Sequence, residues 1–240
     1  MRNPVNNFFV FLTAFFLFLA TASAQLQSGV YMAKETNGDR TLTHELKIDD
    51  TYLVHTVYQE GPAEFVKSLG GFYKANNGKL DIQLEFNSQY AQDSLRSLSI
   101  PYIMEGTILV LNLGKPLEFE RGASLSQDLD GKWLFATRGP DTGQDRRGEA
   151  NARKTMKFLM DGRFQWIAYH TETFRFSGTG GGLYTTDDGS YTEHIQYFSR
   201  DNSRVGAKLK FIYNIKGDDW HHQGKNSRGE PMYEIWSKRK

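Results

Sequence analysis

The sequence contains no cysteine, and its 29 basic and 28 acidic side chains leave a formal net charge of only +1. Without cysteine, the chain has no disulfide bonds, no thiolate metal sites, no cysteine nucleophile and no cysteine for a lipid anchor. A charge so close to zero provides no field for holding nucleic acid, so we predict no nucleic-acid partner. What the chain does contain, 39% hydrophobic residues over 240 positions, excludes a disordered tail and allows one large or two modest domains.

Residues 1–24 are typical of a secretory signal peptide. Arg2 precedes an apolar stretch from Phe8 to Ala20, and the segment ends in small residues at Ala22 and Ala24. The apolar stretch is shorter than the roughly 20 residues that a membrane-spanning helix needs. We therefore predict cleavage after Ala24, export to the periplasm or the medium, and no membrane span after cleavage. An uncleaved anchor helix is the alternative.

The rest of the chain contains an internal repeat of two similar units. Residues 70–80 align without a gap with 181–191, and upstream matches join 49–54 to 161–166 and 28–31 to 130–133. The matches keep their order and nearly their spacing, which indicates a duplication. We place the first unit at 25–120, a linker at 121–128 and the second unit at 129–240. Two unrelated hairpins with similar turn residues are the alternative, because Asn-Gly and Asp-Gly turns are common.

Each unit has the pattern of short antiparallel strands. Alternating, β-branched and aromatic segments are separated by turn signals such as Asp161-Gly162 and Asp188-Gly189. We count about eight strands in each unit, a number that favours an up-and-down barrel or a sandwich. Helical turns are expected only at 61–69 and 90–97.

A series of motifs in the second unit carries a family resemblance. In chain order they are Gly131-Lys132-Trp133, Phe164-x-Trp166, Gly181-Gly182-x-Tyr184, Tyr191-Thr192-Glu193-His194-Ile195, Trp220-His221-His222-x-Gly224 and Glu234-x-Trp236. Together they resemble the lipocalin-like (calycin-type) domains of secreted bacterial proteins of unknown function, over 130–240. The resemblance implies an all-β fold of two tandem lipocalin-like antiparallel barrels, with an interior cavity that often takes a small apolar ligand. Each unit is short for a lipocalin, so side chains could fill the cavity.

The duplication allows a comparison of interior positions. Aligning the two copies sets Glu193 opposite Ile82 and His222 opposite Leu111. Because surface positions seldom become apolar in a second copy, we predict that Glu193 and His222 face the interior of the second barrel. Buried charges need partners, so the two side chains are expected to lie close together. The first barrel is expected to fill its core.

We therefore predict a binding site for a small, partly apolar molecule in the second barrel. The candidate residues are its inward aromatic and ionisable side chains, Trp166, His170, Tyr184, Glu193, Trp220, His222 and Trp236. No cofactor is predicted. Because adjacent His221 and His222 point to opposite faces of a strand and no compact zinc motif is present, no metal site is predicted either.

Two other functions remain open at this point. A hydrolase or isomerase could use Glu193 and His222 as general acid and base. A noncatalytic extracellular adhesion or assembly module could consist of two filled barrels with an exposed apolar patch. The sequence carries no signal for an oligomeric state.

Overall fold

The computed structural model describes residues 26–226 and 228–240. The predicted signal peptide, residues 1–24, lies outside this part of the chain. No helix within the described residues is long and apolar enough to cross a membrane.

The first eight strands close into an antiparallel barrel in chain order. Their bounds are β1 Gly29–Asn37, β2 Arg40–Ile48, β3 Tyr52–Gln59, β4 Glu64–Asn76, β5 Lys79–Asn87, β6 Ser97–Glu105, β7 Ile108–Asn112 and β8 Pro116–Arg121. One helical turn, α1 Tyr90–Asp93, lies between β5 and β6, within the segment where a helical turn is predicted. The other predicted helical turn is wrong, since β4 occupies most of 61–69.

A second antiparallel barrel closes from the remaining eight strands. They are β9 Gly131–Arg138, β10 Arg153–Met160, β11 Arg163–His170, β12 Phe176–Asp187, β13 Ser190–Phe198, β14 Lys208–Lys216, β15 Asp219–Lys225 and β16 Pro231–Arg239, with a short 3-10 turn at Asn202–Arg204. The predicted fold, all-β with two tandem eight-stranded antiparallel barrels, is confirmed.

The two barrels share an irregularity that only glycine permits. The pairing register shifts between Gly70 and Gly71 in the first barrel and between Gly181 and Gly182 in the second. A Cβ atom would lie 2.0 Å from the carbonyl oxygen of Gln83 at Gly71, and 2.1 Å from that of His194 at Gly182. The bulges therefore occupy equivalent places, 111 positions apart, as the ungapped alignment of 70–80 with 181–191 requires.

Equivalent residues of the β2–β3 and β10–β11 hairpins are also 111 positions apart. Ile48 pairs with Leu53, and Leu159 pairs with Phe164. The sequence alignment of 49–54 with 161–166 is therefore displaced by one residue. A displacement of one residue matters because the alignment then assigns every side chain to the wrong face of the strand.

The barrels pack on each other through the outward faces of β3, β5, β9, β10 and β11. This face, here called the inter-barrel core, consists of Tyr52, Val54 and Phe86 from the first barrel and Leu134, Met156, Phe158, Ile167 and Tyr169 from the second. A hydrogen-bonded group adjoins it: Gln165 Nε2 donates to Ser68 Oγ at 3.1 Å and to Thr179 Oγ1 at 3.0 Å, and also bonds Thr56. Strand β3 is buried along its whole length, because one face lines its own barrel and the other meets its neighbour.

An ion pair joins the two barrels at the edge of this core. The Arg239 guanidinium contacts both oxygens of the Glu85 carboxylate at 2.8 Å. The same carboxylate accepts hydrogen bonds of 2.8 Å from the hydroxyls of Tyr52 and Tyr169. A second carboxylate, Glu45 of β2, lies between Lys47 and Arg163. Charged groups are thus buried here only with partners, as their desolvation requires.

Replacing Arg239 with methionine is expected to lower the free energy of unfolding by about 3 kcal/mol, because it leaves the Glu85 carboxylate buried without a counter-charge. Urea denaturation followed by circular dichroism measures the loss. The matched control is Lys238→Met, since Lys238 is the exposed neighbour on the same strand. Equal stabilities of the two variants would contradict this account.

Candidate functional site

A lysine lies in the centre of the second barrel. Lys157 Nζ is 2.9 Å from Glu193 Oε1, and both side chains are 6% exposed. Four aromatic rings surround the ammonium group, with centroids 4.8 to 5.8 Å away: Trp220, Tyr191, Trp236 and Phe211. Aromatic faces and a carboxylate are both favourable neighbours for a desolvated cation.

Glu193 has a further partner in Tyr191, whose hydroxyl donates to the carboxylate at 2.8 Å. Burial and the adjacent negative charge raise the pKa of Tyr191 well above its ordinary value. The hydroxyl therefore stays protonated and remains a donor. Lys157 and Tyr191 together satisfy the carboxylate inside the barrel.

His222 lies in the same interior with a different partner. Its ring packs between Phe211 and Trp220, at centroid distances of 4.4 and 5.0 Å. The closest acidic group is Glu234, 3.6 Å from Nδ1, and within the described residues neither ring nitrogen makes a hydrogen bond. Burial, helped by the charge of Lys157, lowers the pKa of His222 to about 4. The imidazole is thus neutral at physiological pH.

The two residues on which the sequence argument depended are both interior, but they do not pair directly. Glu193 bonds Lys157 and Tyr191, whereas His222 faces Glu234. The sequence comparison did not find Lys157, which supplies the counter-charge that Glu193 was expected to receive from a histidine.

The seven predicted site residues divide into two groups. Glu193, Trp220, His222 and Trp236 meet around Lys157, and Tyr184 adjoins them through Tyr191, with its hydroxyl donating to Asp130. Trp166 packs at the edge of this cluster against Phe198. His170 lies apart at the end of β11, where its Nδ1 accepts the Thr173 N–H at 3.4 Å.

The interior of the first barrel differs because its side chains are smaller. At equivalent interior positions, Leu53, Leu80 and Ile100 of the first barrel stand where the second has Phe164, Tyr191 and Phe211. Leu109 likewise stands in the place of Trp220. Barrels with the same number of strands enclose similar volumes, so aliphatic residues at these positions leave space that aromatic residues fill.

The space is a cavity of about 440 Å³ in the first barrel. Its apolar wall includes Leu46, Leu53, Leu80, Ile82, Leu98 and Leu111. The comparison of the two units in the sequence predicts a filled first barrel and a pocket in the second barrel, whereas the structure has the cavity in the first. The second barrel has instead an open depression at one end, of about 550 Å³, lined in part by Phe135, Arg147, Glu234 and Trp236.

Two histidines and a glutamate form a hydrogen-bonded chain at one end of the cavity. His44 Nε2 is 3.1 Å from Glu35 Oε2, and His44 Nδ1 is 3.1 Å from His55 Nε2. With Glu35 ionised, the Nε2–H of His44 donates to the carboxylate, and its Nδ1 accepts the Nε2–H of His55. This assignment leaves Nδ1 of His55 as an acceptor that receives no hydrogen bond from any of the described residues.

The charge states of this chain follow from its surroundings. Burial lowers the pKa of His55 to about 3, with further contributions from His44 and Lys67. Burial also lowers the pKa of His44, although Glu35 opposes the effect. The hydrogen bond from Lys115 holds the pKa of Glu35 below its usual range. At neutral pH the chain is therefore a carboxylate followed by two neutral imidazoles.

Sequence reasoning missed His44 and His55, although a signal was present. Period-two alternation places His44 on the same face as Leu46 and Ile48, and His55 on the same face as Leu53. Attention to histidines on apolar strand faces of the first unit would have found them. Within the described residues, no group of three or more His, Asp or Glu side chains is arranged to hold a metal ion.

Comparison with known proteins adds no family assignment, since no family model and no curated protein matches the chain.

Lys157→Leu alone is expected to cost about 3 kcal/mol of stability, because it leaves Glu193 buried without its counter-charge. Combining it with Glu193→Ile and Tyr191→Phe is expected to cost less, since Leu46 and Ile82 already occupy the equivalent places in the first barrel. Urea denaturation of both variants makes the comparison. A combined variant less stable than the single one would refute this interpretation.

Acidification is expected to destabilise the protein through its buried histidines. Below about pH 6.5, His55 and His222 take up protons in the unfolded chain but stay neutral in the folded protein. The free energy of unfolding therefore falls by up to roughly 1.4 kcal/mol per pH unit for each histidine. His222→Leu is expected to flatten this dependence between about pH 6 and pH 4, because the folded pKa of His222 is about 4. Urea titrations at several pH values test it, and an unchanged slope would contradict it.

Proposed function

We propose that the protein binds a small, partly apolar molecule in the cavity of the first barrel, without catalysing a reaction on it. The observation that carries the proposal is the cavity itself, about 440 Å³ of space with a leucine-rich wall and a polar end formed by Glu35, His44 and His55. Ligand pockets are typically 300 to 1,000 Å³, mostly apolar, with a few placed polar groups.

The choice of the first barrel over the second rests on where the open space lies, which is inside the first barrel but at one end of the second. In the second barrel, Lys157 and the rings of Trp220, Tyr191 and Trp236 occupy the centre. Most of the residues that the sequence put forward as a binding site thus act there as a packed core, whereas His170 lies apart from it. The polar groups at the first-barrel cavity, by contrast, lie beside open space.

The fold, the resemblance of the motifs to lipocalin-like domains and the segment 1–24 are consistent with an exported carrier or scavenger. Barrels of this size can hold one small ligand in their interior. We include in the proposal that residues 1–24 direct export to the periplasm or the medium and are removed. Mass measurement of the N-terminus after expression in a bacterial host tests that part separately.

The two alternatives receive less support. An acid–base enzyme using Glu193 and His222 needs a route for substrate to reach them, and these two side chains are 6% and 3% exposed. An assembly module with two filled barrels is at odds with the open first barrel. Its exposed large apolar residues also lie on different elements, including Phe72, Ile103, Leu183 and Ile212.

The duplication suggests how to close the cavity without disturbing the fold. Leu53→Phe and Ile100→Phe each introduce the residue that the second barrel already has at the equivalent place. Either change is expected to weaken binding of the neutral dye phenylnaphthylamine at least about tenfold, because the ring takes the space that the dye needs. Fluorescence titration of the full chain measures the affinity.

Ile103→Phe is the matched control, since Ile103 lies on the same strand as Ile100 and is 60% exposed. It is expected to leave dye binding unchanged, and circular dichroism verifies that all three variants are folded. Undiminished binding in both filled variants, or an equal loss in the control, would rule out the first-barrel cavity as the binding site.

A further inference from the structure

One positive charge at the cavity has no ion-pair partner within the part of the chain that the structure describes. Lys67 lines the cavity and stands on β4 opposite Val57 of β3. Val57 follows Leu53 and His55 at every second position, on the face of β3 that lines the cavity. Cross-strand neighbours share a face of the sheet, so Lys67 belongs to the inward face of the barrel. Its position is on the side of the cavity where the two histidines lie.

The other charged groups around the cavity have partners of two kinds, an ion pair for Glu35 and Lys115 and hydrogen bonds from neutral donors for Asp93. Lys115 Nζ lies 2.7 Å from Glu35 Oε1, and Glu35 also contacts His44. The Asp93 carboxylate accepts hydrogen bonds from the Asn87 amide at 2.8 Å and from the Leu95 N–H at 2.9 Å. Across 26–226 and 228–240, by contrast, no carboxylate forms an ion pair with Lys67.

The positive charge of Lys67 acts on the two histidines, His44 and His55. Its charge contributes to the lowered pKa of both His44 and His55, after burial in each case. The two imidazoles are therefore neutral at neutral pH, so neither adds a charge that attracts or repels a ligand. The charge of Glu35 is balanced locally by Lys115. Among the described residues, the Lys67 ammonium group is thus left without an ion pair beside two neutral imidazole rings.

We propose that the ligand carries a single oxyanion group, such as a carboxylate or sulfonate, that pairs with Lys67 while its apolar body lies against the leucines of the cavity. This proposal rests on the proposed function and names the ligand class for the same site. An ammonium group partly removed from water and lacking a counter-charge gains more from an anion than an exposed lysine does. A neutral ligand of the same shape would leave that charge unpaired.

Two dyes with the same apolar body separate the two proposals. Phenylnaphthylamine is neutral, and anilinonaphthalene sulfonate adds one anionic group to the same rings. The full chain is expected to bind the sulfonate about tenfold more tightly than the neutral dye at low ionic strength, the ratio that one charge-assisted contact supplies. The ratio is expected to fall as salt is added.

Lys67→Met is expected to reduce the ratio of the two affinities to about one and to leave binding of the neutral dye unchanged or improved. Lys74→Met is the matched control, because Lys74 lies on the same strand but is exposed outside the cavity. It is expected to keep the full ratio. Lys67→Arg is expected to retain most of it, since the charge is preserved.

Each outcome has a defined meaning. Equal affinities of the two dyes for the unmodified protein would overturn the anion proposal and leave the binding function standing. A ratio that survives Lys67→Met, or that Lys74→Met abolishes equally, would also overturn it. Failure of both dyes to bind would count against both proposals, whereas loss of the ratio in Lys67→Met alone supports both.

Discussion

Closure of each sheet into an eight-stranded barrel fixes the volume that the inward side chains must fill. Both barrels have the same number of strands and the same glycine bulge, but their interiors are filled differently. The second barrel fills its volume with aromatic rings packed around Lys157, whereas the first leaves a cavity lined by aliphatic residues. The identity of a few interior side chains, more than the backbone, therefore decides which barrel contains open interior space.

The outward faces connect the two barrels and give the cavity a rigid wall. On β3, Leu53 and His55 face the cavity, while Tyr52 and Val54 enter the inter-barrel core. The second barrel thus packs behind the wall that carries one of the histidines. Because Thr56 is also hydrogen-bonded to Gln165 across the interface, the backbone of β3 is held from both sides. Such support keeps polar groups of a site in place.

Much of the fold could be predicted from local sequence signals. Asn77-Gly78 and Asp188-Gly189 do form tight turns with positive φ at both residues, as hairpin chemistry requires. The glycine pairs that align the two units lie at the two bulges. The one displaced alignment, at the β2–β3 hairpin, shows the limit of this reasoning, because similar turn residues can match one position out of register.

The candidate site was harder to predict, for a physical reason. The comparison of Glu193 with Ile82 detected a change of polarity, and both positions are indeed interior. A change of polarity, however, carries no information on free volume, which depends on all inward side chains together. The cavity follows from the absence of bulk at positions such as Leu80 and Ile100. Its histidines were overlooked because they occur singly on separate strands and meet only when β2 and β3 pair.

The distribution of tryptophan has a spectroscopic consequence. All 4 tryptophans of the sequence, at positions 133, 166, 220 and 236, belong to the second barrel, and none lines the first-barrel cavity. Intrinsic emission at long wavelength therefore originates from one half of the molecule, and the other half is optically silent in this range. A fluorescent molecule bound in the first barrel could therefore accept excitation energy from the tryptophans of the second barrel without contacting an indole ring. The protein thus supplies an intrinsic energy-transfer donor, and no label needs to be attached.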